Sequence, residues 1–102
     1  MAVTSYHFPE NIGSVLSFVT HAAVGETIRT YVPDWNCWHY GIADGVGGVI
    51  HASKRRGGVV YTAWEEFSER KLVYKCLDIT SDNLPAACEK AKTFIGQPYT
   101  AR

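Results

Sequence analysis

His39 and His51 are the residues of this sequence whose types and spacing are best suited to chemistry. Imidazole is the side chain that most readily exchanges a proton near neutral pH. Two imidazoles on one surface can serve as the base for a nucleophile and as the group that orients that base. The sequence therefore predicts a proton-transfer site, provided that the fold brings both rings to the same surface.

The segment that contains both histidines has the composition of a β-hairpin. Residues 35–43 are rich in aromatic and β-compatible types, Asp44-Gly45 is a strong turn signal, and residues 49–53 form the returning strand. A three-residue loop over 44–46 would place His39 directly opposite His51 on one face. A loop of two or four residues would send the rings to opposite faces, which would leave each histidine as a polar residue on a strand.

Motifs outside the hairpin add to this pattern. Residues 25–30 read GETIRT, residues 39–42 read HYGI, residues 49–51 read VIH, and residues 94–99 read FIGQPY. Together they resemble the lecithin:retinol acyltransferase family, which belongs to the class of NlpC-type, permuted papain-like cysteine hydrolases and acyltransferases. The resemblance covers roughly residues 24–99 and is most specific in the spacing of the histidines.

The resemblance implies a role for each histidine and a position for the nucleophile. His39 matches the family's base for a cysteine, and His51 matches the group that orients the base. The family's cysteine lies in an Asn-Cys-Glu-His-Phe-like motif just after a Gly-Gln-x-x-Tyr stretch. This sequence has that stretch at residues 96–99 but not the cysteine motif, and it ends at Arg102.

Two functional hypotheses follow. In the first, the sequence is a thiol acyltransferase or hydrolase domain that is inactive as 102 residues, and the natural protein continues past Arg102 to supply the cysteine. Its substrates, by resemblance, are acyl lipids or peptide amides, which react through a thioester. In the second, the chain is a non-catalytic inhibitor or adaptor, including a phage- or pathogen-encoded one, that binds a protein partner with the same fold.

The three cysteines offer no clear substitute for the missing nucleophile. Cys37 shares a strand face with His39, but neighbours at this spacing lie about 7 Å apart, which is long for a nucleophile and its base. A zinc site formed by Cys37 and the two histidines is chemically conceivable, yet no CxxC or HxxxH spacing supports it. We predict no metal and no cofactor. Cys76 and Cys88 are interpreted as small buried hydrophobic residues.

The Lys54-Arg55-Arg56 run is the only concentration of charge, and it follows His51 closely. It is either a solvated basic loop or a rim that recognises an acidic partner, a phosphate headgroup or nucleic acid. Three adjacent basic residues without a stacking platform identify none of these ligands.

Aromatic residues flank the first histidine. Trp35 and Trp38 lie on either side along the chain, and Tyr40 follows His39 directly. We expect one tryptophan to pack in the core and the other to line a groove. These three aromatic residues and the basic run are the predicted binding residues.

Composition is that of one small domain over residues 1–102. The chain has 46% hydrophobic and 20% charged residues and no net charge, so no global electrostatic signal favours nucleic acid. No segment approaches the ~18 apolar residues of a transmembrane helix. An odd number of cysteines without a signal peptide favours a reduced, cytoplasmic location.

The pattern of elements predicts a small α+β domain with a largely antiparallel sheet and flanking helices, as in NlpC-type and lecithin:retinol acyltransferase-like proteins. The predicted order is a helix over 11–23, three strands beginning at Gly25, a short helix over 63–69, a strand over 71–79 and a final helix. Asn83 is the predicted cap of that last helix, with Pro85 in its first turn.

Overall fold

The computed structural model describes residues 16–76 and 83–98, which form an α+β domain built on one six-stranded antiparallel sheet. Helix α1 is short, and helix α2 is the longer of the two. The elements in chain order are β1 Leu16–Val19, β2 Thr27–Val32, β3 Cys37–Ala43, β4 Gly48–Ser53, β5 Gly58–Ala63, α1 Trp64–Ser68, β6 Val73–Cys76 and α2 Leu84–Lys92.

The strand order is β1-β6-β2-β3-β4-β5, so the four strands from β2 to β5 form a continuous meander. Strand β6 returns after α1 and inserts between β1 and β2. The predicted fold class is therefore confirmed at the level of an α+β domain with an antiparallel sheet. Neither helix among the described residues is long and apolar enough to cross a membrane.

The two helices lie on opposite faces of the sheet, and each contacts one of the two alternating sets of strand side chains. On what we call the α1 face, Phe67 of α1 packs with Ile28, Val49 and Val73, all of which are almost fully buried. On what we call the α2 face, helix α2 lies against β3. The tightest apolar core is thus on the α1 face, where Phe67 is 2% exposed.

Helix α2 begins as the sequence predicts. Asn83 Oδ1 accepts a hydrogen bond from the Ala86 backbone N–H at 3.1 Å, and Pro85 lies in the first turn. This cap satisfies one of the amide groups that a helix start leaves without a partner. The short helix predicted over 63–69 is also present, as α1.

The helix predicted over 11–23 is wrong in the part that the structure describes. Leu16–Val19 is strand β1, which pairs with β6 from Leu16↔Cys76 to Val19↔Val73. The helical pattern rested on a few apolar residues in a short segment, which also fits the alternation of a strand. Pairing with β6 decides between them, because it supplies backbone hydrogen bonds at the edge of an existing sheet. Residues 11–15 of the predicted helix lie outside the described residues.

The predicted hairpin exists, but its loop is shifted along the chain. Asp44 pairs with Gly48 through an Asp44 N–H to Gly48 carbonyl bond of 3.0 Å, and Asp44 Oδ1 accepts the N–H groups of Val46 and Gly48. Gly45 and Gly47 take the positive φ values, 86° and 99°. Asp44 and Gly48 therefore form the last pair of the hairpin, and the loop is 45–47 and not 44–46. The Asp44 carboxylate stabilises this register through its two bonds to backbone N–H groups of the loop.

Candidate functional site

The histidine pair, His39 and His51, lies on the α1 face of β3 and β4. His51 stands opposite Gly41, so the prediction that His39 lies directly opposite His51 is wrong. His51 is displaced by two residues from the predicted partner, and residues two apart on a strand share a face. Both rings therefore point to the same face, as predicted. The rings meet diagonally, with His51 Nδ1 at 3.1 Å from His39 Nε2 and ring centroids 4.8 Å apart.

A directional chain of hydrogen bonds fixes the protons of the pair. Thr62 Oγ1–H donates to the Ala63 carbonyl at 3.3 Å, and Thr62 Oγ1 lies 2.9 Å from His51 Nε2. The Ala52 carbonyl, 3.0 Å from His39 Nε2, can only accept, so His39 Nε2 carries a proton and His51 Nδ1 is left to accept it. His51 Nε2–H is then the donor to Thr62. Neutral His51 then carries its lone pair on Nδ1, where it can accept a proton from His39.

The same chain defines the tautomer of His39. Its Nε2 lies 3.0 Å from the Ala52 carbonyl, which can only accept, so Nε2 carries the proton and is shared between Ala52 and His51. The remaining lone pair of neutral His39 is on Nδ1, which has no hydrogen-bond partner among the described residues. This nitrogen is therefore the basic atom of the site.

Burial keeps both rings neutral at ordinary pH. Desolvation, with a smaller contribution from the nearby His39, lowers the pKa of His51 to about 4. Desolvation also lowers the pKa of His39, but the Ala52 carbonyl opposes that effect by stabilising the protonated ring. His39 is thus the member of the pair that gains a proton more easily, which agrees with the tautomers.

Phe67 and Gly41 shape the floor beneath the rings. The Phe67 ring centroid lies 5.0 Å from that of His39 and 5.1 Å from that of His51. A Cβ atom at Gly41 would come within 2.5 Å of Val49 Cγ1 and 3.0 Å of Phe67 Cε1, so only glycine leaves room for this packing. The apolar ring supplies much of the desolvation that lowers the two pKa values.

The pair opens into a cleft of about 470 Å³, which we call the histidine cleft. Its wall combines the strand ends with the turn after β2, the loop between β4 and β5, and α1. The lining residues are Val32, Asp34, Trp35, His39, His51, Ser53, Lys54, Arg55, Arg56, Glu66, Phe67, Glu69 and Lys71.

The basic run forms one rim of the histidine cleft, but its arginine charges are paired with acidic residues across the cleft. Arg55 pairs with Glu69, and Arg56 pairs with Glu66 of α1. Lys54 Nζ lies 4.4 Å from the centroid of the Trp35 ring. The rim is therefore close to neutral as a unit, and these contacts connect the β4–β5 loop to α1.

The structure separates the predicted aromatic binding residues. Trp35 lies in a single 3-10 turn, lines the histidine cleft and is 55% exposed. Trp38 and Tyr40 lie on the α2 face, because each is one position away from His39 on the strand. Trp35 lines a groove, as expected for one of the two tryptophans. Trp38 is half-buried against Tyr31 and Tyr74, outside the apolar core of the α1 face, where the packed tryptophan is Trp64.

The cysteines occupy three different environments. Cys76 and Cys88 are buried, which confirms their interpretation as small hydrophobic residues, whereas Cys37 is exposed. Cys37 does not appear among the described residues that line the histidine cleft. Within residues 16–76 and 83–98, no group of three or more His, Cys, Asp or Glu side chains is arranged to hold a metal ion.

Sequence reasoning missed Thr62 and the acidic side of the histidine cleft. Thr62 is 6% exposed and joins the site from β5, two strands away from His39. No sequence signal marked it, since the pairing of β4 with β5 depends on a loop whose register the local sequence does not define. Glu66 and Glu69 lie four and seven positions beyond it and face the basic run only because α1 folds back over the sheet.

The segment after α2 runs along the outer edge of β5. Gly96 N–H donates to the Val59 carbonyl at 2.8 Å, Val59 N–H donates to the Gln97 carbonyl at 2.9 Å, and Gly58 pairs with Pro98. The direction is antiparallel, so the chain advances from Val59 towards the β4–β5 loop, where the basic run begins. Tyr99, the last residue of the predicted motif, lies outside the described residues.

Comparison with known proteins adds no assignment to this geometry: no protein-family model, no curated protein and no solved structure matches the chain.

Proposed function

We propose that the histidine pair is the base and the orienting group of a cysteine acyl-transfer site of the lecithin:retinol acyltransferase-like type. The observation that carries the proposal is the chain from His39 through His51 to Thr62, with hydrogen bonds of 3.1 and 2.9 Å, inside a cleft. A base oriented by a second polar group, which is itself held in place, is the arrangement that activates a nucleophile.

The free lone pair on His39 Nδ1 accounts for the choice of base. When Nδ1 takes a proton from a nucleophile, the Nε2–H bond to the Ala52 carbonyl strengthens, because a charged donor makes a stronger hydrogen bond. His51 stays neutral, since its pKa is about 4, and it continues to accept from His39 through Nδ1. His51 and Thr62 therefore position the base and take no proton themselves.

The path of residues 96–98 supports a cysteine nucleophile that follows them. These residues run along β5 towards the β4–β5 loop, next to Ser53, which lines the histidine cleft. In the family that the sequence resembles, the cysteine motif comes just after the matching Gly-Gln-x-x-Tyr stretch. Pro98 thus lies at the end of the sheet where the cleft opens.

The proposed reaction has two steps, the formation of a thioester and its cleavage. The thiol gives its proton to His39 Nδ1, and the thiolate attacks the carbonyl carbon of an acyl substrate. The protonated His39 returns that proton to the leaving group, and a thioester remains. An amine, an alcohol or water then attacks the thioester and releases the thiol. Acyl lipids and peptide amides are the proposed substrate classes.

The test supplies the thiol from solution to the full 102-residue chain. p-Nitrophenyl butyrate is the acyl donor, N-acetylcysteamine is the thiol, and thioester formation is followed by mass spectrometry. We expect the protein to accelerate the reaction and His39→Ala to reduce that acceleration about a hundredfold, the usual contribution of a general base.

His21→Ala is the matched control, since His21 is an exposed histidine outside the histidine cleft. Cys37→Ala excludes transfer through the exposed cysteine of the chain. Equal rates in the wild type and His39→Ala would overturn the proposal. That result would favour the other hypothesis, a non-catalytic protein that uses the same sheet to bind a partner.

A further inference from the structure

Arg29 is a buried cation on the α2 face, away from the histidine cleft. It is 8% exposed, although it lies in the middle of β2, and its cross-strand neighbours are Tyr40 on β3 and Tyr74 on β6. A guanidinium group cannot lose its proton inside a protein, so its charge must be stabilised where it lies.

The described surroundings stabilise this charge only in part. None of the ion pairs formed within residues 16–76 and 83–98 includes Arg29. Its guanidinium carbon lies 4.2 Å from the centroid of the Trp38 ring and 5.7 Å from that of Tyr40. Its Nε is buried without a hydrogen-bond partner. Aromatic faces attract a cation, but they do not neutralise it as a carboxylate would.

The Tyr40 hydroxyl links the buried Arg29 charge to a hydrogen-bond donor that solvent can reach. Its hydroxyl oxygen accepts a 2.8 Å hydrogen bond from Arg29 Nη1, so its own proton remains available to an acceptor. A phenol that accepts from a cation is a stronger donor than a free one. The Tyr40 side chain is 45% exposed, which makes the hydroxyl group reachable from solvent.

An apolar groove begins at Tyr40. It has a volume of about 280 Å³ and lies between the α2 face of β3–β5 and the end of α2. Ala91 and Phe94 form one wall, and the floor on the sheet is formed by Gly41, Ile42, Ile50, His51, Ala52 and Val59. At ~30 Å³ for each water-sized group, the groove holds about nine heavy atoms.

We propose that this groove binds a small amphipathic carboxylic acid. The carboxylate accepts the Tyr40 O–H bond beside the Arg29 guanidinium, and the apolar part of the ligand lies along the groove under α2. An anion supplies the opposite charge that no described residue brings to Arg29 as an ion pair, and an apolar tail suits a wall without charged side chains. The groove lies on the other face of the sheet from the histidine cleft, with His51 bordering both, and the proposal does not depend on acyl transfer.

The test uses octanoate as the probe, titrated into the full chain and followed by calorimetry. Octan-1-ol and octylammonium have the same tail with a neutral and a positive head group. We expect octanoate to bind and both other probes to bind at least about tenfold more weakly, as the loss of a charge-assisted hydrogen bond implies. Equal affinity for octanoate and octan-1-ol would overturn the proposal.

Two tyrosine variants locate the site. Tyr40→Phe removes the hydroxyl group and keeps the ring, and we expect it to weaken octanoate binding about tenfold or more. Tyr74→Phe is the matched control, because Tyr74 is the other cross-strand neighbour of Arg29 but does not line the groove. Equal affinities in these two variants would contradict the assignment of the site.

Arg29→Met tests the charge and is expected to abolish selectivity for octanoate over octan-1-ol. Arg70→Met removes the same charge at an exposed position and should leave that selectivity unchanged. If Arg29→Met fails to fold, the tyrosine variants still decide the proposal. Dimerisation of the chain through this face, without octanoate binding, would also overturn it.

Discussion

The two faces of the sheet bury polar side chains in different ways. On the α1 face, His39 and His51 lose their charge, and three of their four ring nitrogens find partners in each other, Thr62 and a backbone carbonyl. On the α2 face, Arg29 keeps its charge and meets tyrosines and a tryptophan. His39 and Tyr40, adjacent in sequence, thus belong to opposite environments.

This difference follows from the chemistry of the side chains. Imidazole can give up its charge when it is desolvated, so a histidine pair can be buried against Phe67 at moderate cost. Guanidinium cannot, so a buried arginine creates a lasting demand for an anion. We therefore propose proton transfer on the α1 face and anion binding on the α2 face.

The largest loss of stability is expected from Phe67→Ala. This change opens the α1 face to water and so removes the difference in burial between the two faces. Phe67 is 2% exposed and touches both histidine rings, so its removal should lower the free energy of unfolding by about 3 to 5 kcal/mol. Urea denaturation measures the loss. In whatever fraction stays folded, NMR titration should show the pKa of His51 rising towards 6.5.

Phe94→Ala is the control on the α2 face, where the side chain is 42% exposed. It should cost much less than Phe67→Ala, because less apolar surface returns to water. A similar loss in both variants would mean that the two faces do not differ in packing as described.

Acid should destabilise the protein through His51. Its folded pKa is about 4 against an ordinary 6.5, so the unfolded chain binds a proton more readily. Stability is then full above pH 6.5 and falls as the pH drops towards 4, by up to about 3 kcal/mol. Urea denaturation of the wild type at about pH 7 and about pH 4.5 measures the change.

His51→Gln sharpens this test, because glutamine does not titrate in that range. The variant should lose much of the dependence on pH, whereas His21→Gln should keep it. A wild-type stability that stays constant between the two pH values would show that His51 is not desolvated as its burial indicates.

Thr62→Val should have the smallest effect of the three changes on stability. Valine has a similar shape but cannot accept the His51 Nε2–H bond, and one buried donor without a partner costs about 1 to 2 kcal/mol. Thermal or urea denaturation measures the loss, and nitrogen chemical shifts report the tautomer of His51. Thr93→Val, at an exposed position on the last turn after α2, should cost less than about 0.5 kcal/mol.

A Thr62→Val variant with unchanged stability and an unchanged His51 tautomer would contradict the direction of the hydrogen-bond chain. It would also weaken the choice of His39 Nδ1 as the basic atom, because that choice depends on where the other protons lie.

The sequence predicted the elements that local signals define. Asn83 and Pro85 marked the start of α2, and the Asp44-Gly45 turn marked the hairpin that brings the two histidines to one face. Both signals act within a few residues of the chain, so they do not depend on tertiary contacts.

Features that depend on pairing between distant segments escaped prediction. Strand β1 exists because β6, far along the chain, offers it an edge. The exact hairpin register depended on the Asp44 carboxylate, and the role of Thr62 depended on how β5 aligns with β4. Trp38 and Tyr40 were grouped with the histidines by their closeness in sequence, although alternation along β3 sends them to the other face.

The cover that residues 96–98 provide along β5 also affects how the protein behaves in concentrated solution. An uncovered sheet edge can recruit strands from other molecules and start aggregation. Backbone bonds from Gly96 and to Gln97 occupy that edge of β5 beside Val59. Among the described residues, no strand pairs with the outer side of β1, which is the opposite edge of the sheet. We therefore expect changes near Phe18, which is exposed on β1, to alter solubility more than changes near β5.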